Sequence, residues 1–256
     1  MDLKDKVVVI TGGAQGIGLS IAERFACLGS KLVIGDVKAE ALVGAKKKLE
    51  ELGAAVATME CNVTDEGDAE KLMKMAVDEF GRLDVAVLNA GILRDGLLLK
   101  LDKETGKVKR KMSLEQWQSV IDVNLTGVFL TGREAAAQMA EAGNGGVLIL
   151  MSSIAGDGNF GQTNYSATKA GVRAMAATWA KELARYGIRA AAISPGFIGT
   201  PMVKRDMKQE ALEKLLKMVP LRRLGEPAEV AQVAQFIAEN DFVTGVTVGV
   251  TGGMSL

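Results

Sequence analysis

Residues 7–18 read VVVITGGAQGIG, and this stretch decides the fold. A short run of Val and Ile is typical of a strand buried on both faces of a parallel sheet. The glycines that follow permit a tight turn and let backbone N–H groups approach a bound anion closely. A helical pattern begins directly afterwards, so the stretch predicts a strand–loop–helix unit that can cradle a pyrophosphate.

The same alternation continues to the end of the chain. Apolar runs predict strands at 7–10, 31–35, 54–59, 85–88, 147–151, 189–193 and 246–250. Amphipathic segments predict helices at 17–28, 39–52, 66–80, 114–142, 167–186 and 227–238. No linker divides the chain, so we expect an α/β fold: one Rossmann-type, doubly wound parallel sheet of about seven strands, flanked by helices, over residues 1–256.

One segment interrupts this alternation. Residues 97–112 read LLLKLDKETGKVKRKM, in which Glu104-Thr105-Gly106 indicates a turn between two short strands. The basic cluster at 107–111 suggests nucleic acid, but the zero net charge of the chain favours a solvated, hairpin-like insertion. Because the insertion precedes the helix nearest the expected crevice, we hypothesise that it shapes the substrate entrance.

Composition excludes several classes of function. Lys and Arg total 31, as do Asp and Glu, so we expect neither a nucleic-acid nor a membrane partner. Residues 1–6 do not have the pattern of a signal peptide, and no stretch approaches the roughly 18 apolar residues of a membrane span, so we expect a cytoplasmic protein. The chain has no histidine, which excludes Ser–His–Asp triads, imidazole bases and histidine-ligated metals. Its two cysteines, Cys27 and Cys61, form no metal-binding pattern, and no metal is expected.

Asp36 follows the second predicted strand, 18 positions after Gly18. A carboxylate here can accept hydrogen bonds from the adenosine ribose hydroxyls and would repel a 2′-phosphate. With the glycine-rich loop, this predicts an NAD(H) site rather than an NADP(H) site. The alternative is that Asp36 only caps the turn.

Tyr165 and Lys169 lie four positions apart, one turn along the same helix face. Ser152 lies 13 positions before Tyr165, where the fifth strand ends and a doubly wound sheet opens its ligand crevice. Ser153 is an adjacent candidate, but spacing favours Ser152.

With these motifs the chain resembles the short-chain dehydrogenase/reductase family over nearly its whole length. The matching positions are Thr11-Gly12-x-x-x-Gly16-x-Gly18, Asn89-Ala90-Gly91, Asn124, Ser152, Tyr165, Lys169, Pro195-Gly196, Ile198 and Thr200. Residues 161–165 and 222–227 are most similar to 3-oxoacyl-acyl carrier protein reductases and related secondary-alcohol dehydrogenases. The chain departs from the family at Asn62, Ala191 and Thr251, where Asp, Asn and Asp are usual.

The resemblance implies an NAD(H)-dependent oxidoreductase that interconverts a secondary alcohol and a ketone. Tyr165 would exchange a proton with the substrate oxygen, with its pKa lowered by Lys169 and the nicotinamide, and Ser152 would hydrogen-bond that oxygen. Asn124 would support a water-linked proton path. The implied cofactor-binding residues are Gly12, Gln15, Gly16, Ile17, Gly18, Asp36, Asn62, Val63, Asn89, Ala90, Gly91, Tyr165, Lys169, Pro195, Gly196, Ile198 and Thr200.

The resemblance also implies a homotetramer built through helices 114–142 and 167–186, with a small carbonyl or alcohol compound as substrate. Segments 93–99, 154–160 and 197–207 are expected to line the substrate pocket. Two alternatives remain open. One is an NADPH-preferring 3-oxoacyl-acyl carrier protein or acyl-CoA reductase, against which Asp36 argues. The other is a non-catalytic NAD-binding regulator, which would not need Ser152, Tyr165 and Lys169.

Overall fold

Seven parallel strands form the central sheet of the computed structural model, which describes residues 1–200 and 209–256. The strands are β1 Val7–Thr11, β2 Lys31–Asp36, β3 Val56–Glu60, β4 Val85–Leu88, β7 Gly146–Met151, β8 Ile188–Pro195 and β9 Thr247–Val250. Their order in the sheet is β3-β2-β1-β4-β7-β8-β9. The predicted doubly wound α/β fold is therefore confirmed.

Helices cover both faces of the sheet. They are α1 Gly16–Cys27, α2 Ala39–Glu51, α3 Glu66–Phe80, α4 Leu114–Ile121, α5 Gly127–Ala142, α6 Thr163–Glu182, α7 Gln209–Met218 and α8 Pro227–Glu239. Successive strand residues face opposite sides, so Val8 and Ile10 pack with α1 and α8, whereas Val7 and Val9 pack towards α3, α5 and α6. Within the described ranges, no helix is long and apolar enough to cross a bilayer.

Three helical segments differ from the prediction. The segment predicted as one helix over 114–142 is α4, a π-helical turn at Asp122–Thr126, and α5. The helix predicted from residue 167 begins four residues earlier, so Tyr165 belongs to its first turn. Helix α7 has no counterpart among the predicted helices.

The insertion at 97–112 contains the antiparallel strands β5 Leu99–Leu101 and β6 Val108–Lys111. Lys100 lies opposite Arg110, and a register shift follows it. All residues of both strands are exposed, so this hairpin projects from the domain instead of joining the central sheet.

The loops that carry the candidate residues lie close together because of the order of the strands in the sheet. The order reverses between β1 and β4, which pair in parallel with Val9 opposite Ala86. In doubly wound sheets the ligand crevice opens at this reversal, beyond the carboxyl ends of the strands. The glycine-rich loop follows β1, Asn89 follows β4, and Ser152 follows β7, all at this edge.

Packing between α5 and α6 depends on Gly132. A Cβ on Gly132 would lie 2.5 Å from the Trp179 ring of α6 and 3.0 Å from Leu88 of β4. No real Cβ approaches neighbouring atoms this closely, so even a methyl group would displace Trp179 or the helix.

We therefore expect Gly132→Ala to lower the free energy of unfolding, measured by urea denaturation, by about 1–3 kcal/mol through overpacking. Gly44→Ala, at an exposed position of α2, is the matched control, because nothing lies within 4 Å of the added methyl. That control should raise stability by up to about 1 kcal/mol through helix propensity. Equal effects of the two substitutions would contradict this account of the packing.

Candidate active site

Close contacts fix the backbone of the glycine-rich loop. Gly12 has a φ of +63°, and a Cβ there would lie 2.9 Å from the Ala90 Cα atom. A Cβ on Gly18 would lie 2.2 Å from the Gly12 carbonyl oxygen and 2.7 Å from Asn89 Nδ2. Any side chain at either position would push apart the loops after β1 and β4.

Thr11 and Asn89 join these two loops by hydrogen bonds. Thr11 Oγ1 accepts from the backbone N–H groups of Asn89 (3.0 Å) and Ala90 (3.1 Å). Asn89 Nδ2 donates to the carbonyl oxygens of Thr11 (3.1 Å) and Gly12 (3.0 Å). The expected cofactor residues Asn89 and Ala90 are thus held against the glycine-rich loop.

The N-terminus of α1 fits an anionic group. Gln15 precedes the helix but makes no side-chain capping bond, and the first turn has no acidic residue. The first N–H groups and the positive end of the helix dipole are therefore suited to a pyrophosphate. Gly16 has a φ of +57°, and a Cβ on it would come within 3.7 Å of Thr200. The expected residues Gln15, Gly16, Ile17 and Thr200 thus lie together.

Asp36 ends β2 beside this loop and is buried. Its Oδ2 accepts from the Ala14 N–H at 3.2 Å, and its Oδ1 accepts from the Lys38 N–H at 3.1 Å. A carboxylate has about four acceptor positions, so each oxygen retains one for a ribose hydroxyl. These two hydrogen bonds give Asp36 the turn-stabilising role of the structural alternative, and they leave acceptor positions open on its carboxylate.

The remaining cofactor candidates lie after β3 and β8. Asn62 Oδ1 accepts from Thr64 N (3.2 Å) and Thr64 Oγ1 (2.9 Å), so a contact with adenine would compete with this turn. Val63 is buried beside it. Pro195 ends β8, Gly196 packs against Thr251, and Ile198 pairs with Gly225.

Tyr165 and Ser153 form the centre of the site. Tyr165 lies in the first turn of α6, and the Ser153 side chain is close enough to its phenol to lower the pKa of Tyr165. Ser153 is the second residue after β7 and is buried, and its Oγ accepts from Ala155 N–H at 3.1 Å. The two hydroxyl groups are therefore adjacent at the carboxyl edge of the sheet.

Ser152, the serine favoured by spacing, faces elsewhere. Its hydroxyl donates to the Lys169 carbonyl at 2.8 Å and accepts from Arg173 Nε at 3.2 Å. A buried hydroxyl with both functions occupied inside the protein is poorly placed for a ligand. The geometry thus favours Ser153, contrary to the expectation for Ser152. The short 3₁₀ helix Ile154–Asp157 sets which serine meets Tyr165, and residue counting does not reveal this.

Lys169 lies one turn after Tyr165, and its side chain is buried. Its Nζ donates to the Met151 carbonyl at 2.7 Å and lies 5.5 Å from the centre of the Tyr165 ring. Burial lowers the pKa of Lys169 to about 8, because the protein interior disfavours its charged form. Lys169 thus remains mostly protonated at neutral pH.

The pKa of Tyr165 is raised above its usual value, whereas the sequence interpretation expected it to be lowered. Burial is the main cause, and the negative charge of Asp95 adds to it. The side-chain interaction with Ser153 opposes both effects. The protein's own groups therefore keep the phenol of Tyr165 protonated at neutral pH.

Asn124 lies in the π-helical turn and is fully buried. Its Oδ1 accepts from Ile92 N–H at 2.8 Å, and its Nδ2 donates to the Ile92 carbonyl at 2.9 Å. A Cβ on Gly91 would lie 3.4 Å from Asn124 Oδ1 and 3.8 Å from Lys169 Nζ. Asn124 therefore fixes the loop after β4 beside the lysine ammonium.

The root of the hairpin is attached to the helix of Tyr165. Asn164 is fully buried, and its Nδ2 donates to the carbonyls of Arg94 (3.0 Å) and Gln116 (3.2 Å). Gln162 Nε2 donates to Asp95 Oδ2 at 2.9 Å. Two of the expected substrate segments, 93–99 and 154–160, thus border Tyr165. Positions 201–207 of the third segment lie outside the described residues.

Sequence reasoning missed Arg173 and the joining role of Thr11. Arg173 lies four positions after Lys169 and eight after Tyr165, a spacing that places all three on one helix face. This spacing could have identified Arg173. No comparable sequence signal distinguishes Ser153 from Ser152.

Known proteins are similar to this chain over nearly its whole length. Residues 12–255 match the model of a family described as enoyl-(acyl carrier protein) reductase. The 3-oxoacyl-[acyl-carrier-protein] reductase of Thermotoga maritima is 41% identical over 256 residues, which cover 99% of each chain. A Mycobacterium bovis protein named as an uncharacterized oxidoreductase is 44% identical over 254 residues, covering 98% of this chain and 97% of the relative.

The crystal structure of levodione reductase is similar to the present structure with a TM-score of 0.86 and 34% sequence identity. The likeness covers 98% of this chain and 97% of that one. Both the fold and the sequence are thus matched from end to end, and the chain belongs to the short-chain dehydrogenase/reductase family of oxidoreductases.

Proposed function

We propose that this protein reduces the ketone of a 3-oxoacyl thioester to a secondary alcohol, with NADH as the cofactor. The observation that carries the proposal is the position of Tyr165, whose ring centre lies 5.5 Å from the buried Lys169 ammonium and whose phenol interacts with the buried Ser153. A nucleotide-binding regulator would not need two adjacent hydroxyl groups and a buried ammonium at this edge.

Gly12, Gly16 and Gly18 would hold the pyrophosphate, Asp36 the adenosine ribose, and Lys169 the nicotinamide ribose. The contacts of Gly12 and Gly18 with the loop after β4, and the uncapped start of α1, support this assignment. When bound, the nicotinamide ring supplies or accepts a hydride and, in its oxidised form, a positive charge. Val63, Gly91, Pro195, Gly196, Ile198 and Thr200 would complete the cofactor site.

Tyr165 would give its phenolic proton to the substrate oxygen as that oxygen gains negative charge. Ser153 would donate a hydrogen bond to the same oxygen and so stabilise the developing charge. A raised pKa keeps Tyr165 in the protonated form that reduction requires. Asn124 would contribute by fixing the loop beside Lys169 and by supporting a water-linked proton path.

The substrate class rests on the relatives. The Thermotoga maritima relative is named as a reductase of 3-oxoacyl groups on acyl carrier protein, and the likeness extends over the whole chain. A second candidate is a free ketone, favoured by the likeness to levodione reductase. Turnover of acetoacetyl thioesters against a panel of cyclic and linear ketones separates the two candidates.

The preference for NADH rests on Asp36, since a buried carboxylate at the end of β2 would repel a 2′-phosphate. We further propose that the protein is a homotetramer and that the hairpin shapes the substrate entrance. The attachment of Asn164 and Gln162 to the hairpin root supports the second of these proposals.

Tyr165→Phe should lower kcat/KM for thioester reduction by about 10²- to 10⁴-fold, because the proton donor is removed. NADH binding, measured by fluorescence, should change little. Tyr186→Phe replaces the other tyrosine of the chain and is the matched control, with activity near wild type. Retained turnover in Tyr165→Phe would exclude the acid role.

Ser153→Ala should lower kcat by about 10²- to 10³-fold through loss of a hydrogen bond to the developing oxyanion. Ser152→Ala should lower kcat much less, because the Ser152 hydroxyl is directed to the Lys169 carbonyl. Steady-state kinetics of both variants decide between the two serines. A larger loss in Ser152→Ala would favour the choice made from spacing.

The double variant Asp36→Ala, Val37→Arg should change the ratio of kcat/KM for NADH to kcat/KM for NADPH by about 10- to 100-fold in favour of NADPH. This is the size expected when a hydrogen bond to a charged group is lost. Val37→Arg alone is the control and should retain the NADH preference, since the carboxylate remains. An unchanged ratio in the double variant would show that Asp36 does not select the cofactor.

A further inference from the structure

Arg173, a partly buried residue of α6, contacts four residues at or near the carboxyl ends of β7 and β8 through its guanidinium group. Its Nη2 donates to the Ser153 carbonyl at 2.6 Å and to Ser194 Oγ at 3.1 Å. Its Nε donates to Ser152 Oγ at 3.2 Å, and its Nη1 pairs with the Asp157 carboxylate. One guanidinium thus joins α6 to β7, the 3₁₀ helix and β8.

The contacts of Arg173 complete a regular pattern. Met151 is bound through its carbonyl by Lys169, and Ser152 is bound through its hydroxyl by the Lys169 carbonyl and Arg173. The carbonyl of Ser153 accepts a hydrogen bond from Arg173, and its side chain interacts with the phenol of Tyr165. Three consecutive residues, the last of β7 and the two that follow it, are therefore each in contact with one face of α6.

The fit around the guanidinium is close. A Cβ on Gly156 would lie 3.0 Å from Arg173 Cζ and 3.1 Å from its Nε, so the 3₁₀ helix passes directly over the planar group. Arginine has a rigid fork of five donors, which allows it to bind several acceptors at fixed angles. A lysine at this position has a single donor group and would hold fewer of them.

We propose that Arg173 is a positioning residue, which fixes Ser153 so that its hydroxyl meets that of Tyr165 at the reacting oxygen. Ser152 is part of the same support, since it carries a hydrogen bond from Arg173 to the Lys169 carbonyl. The proposal rests on the proposed function for the roles of Ser153 and Tyr165, but not for the identity of the substrate.

The first test is a double-mutant cycle on kcat for carbonyl reduction. Arg173→Met should lower kcat about 10- to 100-fold, because small displacements of a reacting group have effects of this size, with KM for NADH unchanged. In a protein that already carries Ser153→Ala, Arg173→Met should lower kcat by less than about 2-fold, because the hydroxyl that Arg173 positions is already absent. Lys181→Met, an exposed change on the same helix, is the control.

The second readout is the pH profile of kcat. Reduction requires protonated Tyr165, so kcat falls as pH rises through its pKa. The side-chain interaction with Ser153 lowers that pKa, so its loss in Arg173→Met should move the alkaline limb to higher pH. Asp95 from the loop after β4 and Lys169 from α6 also face Tyr165 and are unchanged in this variant.

The proposal would be overturned if Arg173→Met lowered kcat equally with Ser153 present and with Ser153 replaced by Ala. It would also be overturned if Arg173→Met left the alkaline limb of the pH profile unchanged. Arg173→Lys is the second variant should Arg173→Met fold poorly, and it should recover part of kcat. Crystal structures of the wild type and the variant give a readout without substrate: in the variant the Ser153 hydroxyl should lie further from the Tyr165 hydroxyl than in the wild type. Were the wild type inactive on every carbonyl compound, the proposed function would fail, while the crystal structures would still decide the role of Arg173.

Discussion

A buried lysine ammonium is costly, and here the Met151 carbonyl at the end of β7 offsets part of that cost. Lys169 can reach this carbonyl only because α6 crosses directly over the strand end. That crossing brings Tyr165 to Ser153, one turn earlier on the helix, and Arg173 to the Ser153 carbonyl, one turn later. The geometry of the candidate site therefore follows from how one helix lies on one strand.

The nucleotide half of the site is built by a different kind of contact. Backbone atoms of the loops after β1 and β4 lie so close that Gly12 and Gly18 leave no room for side chains. The two halves meet at the loop after β4, where Asn124 binds Ile92 and Gly91 lies near Lys169. A parallel sheet makes this possible because the ends of neighbouring strands open onto the same edge.

Much of this could be predicted from the sequence because it depends on local pattern. Buried parallel strands are continuous apolar runs, and a glycine-rich turn before a helix has a specific chemical meaning. The choice between Ser152 and Ser153 depends on the path of four residues, Ile154–Asp157, which no periodicity encodes. The π-helical turn at Asn124 and the raised pKa of Tyr165 likewise arise from packing between distant segments.

The tight contacts at Gly12 and Gly18 also divide the nucleotide site into fixed and adjustable parts. A side chain at either glycine would require both loops to move at once. Single substitutions at Gly12 or Gly18 therefore cannot change the dinucleotide specificity in small steps. Val37, next to Asp36, is more than half exposed. Laboratory evolution of this protein towards another dinucleotide should therefore collect its changes around the end of β2 and leave the glycine-rich loop untouched.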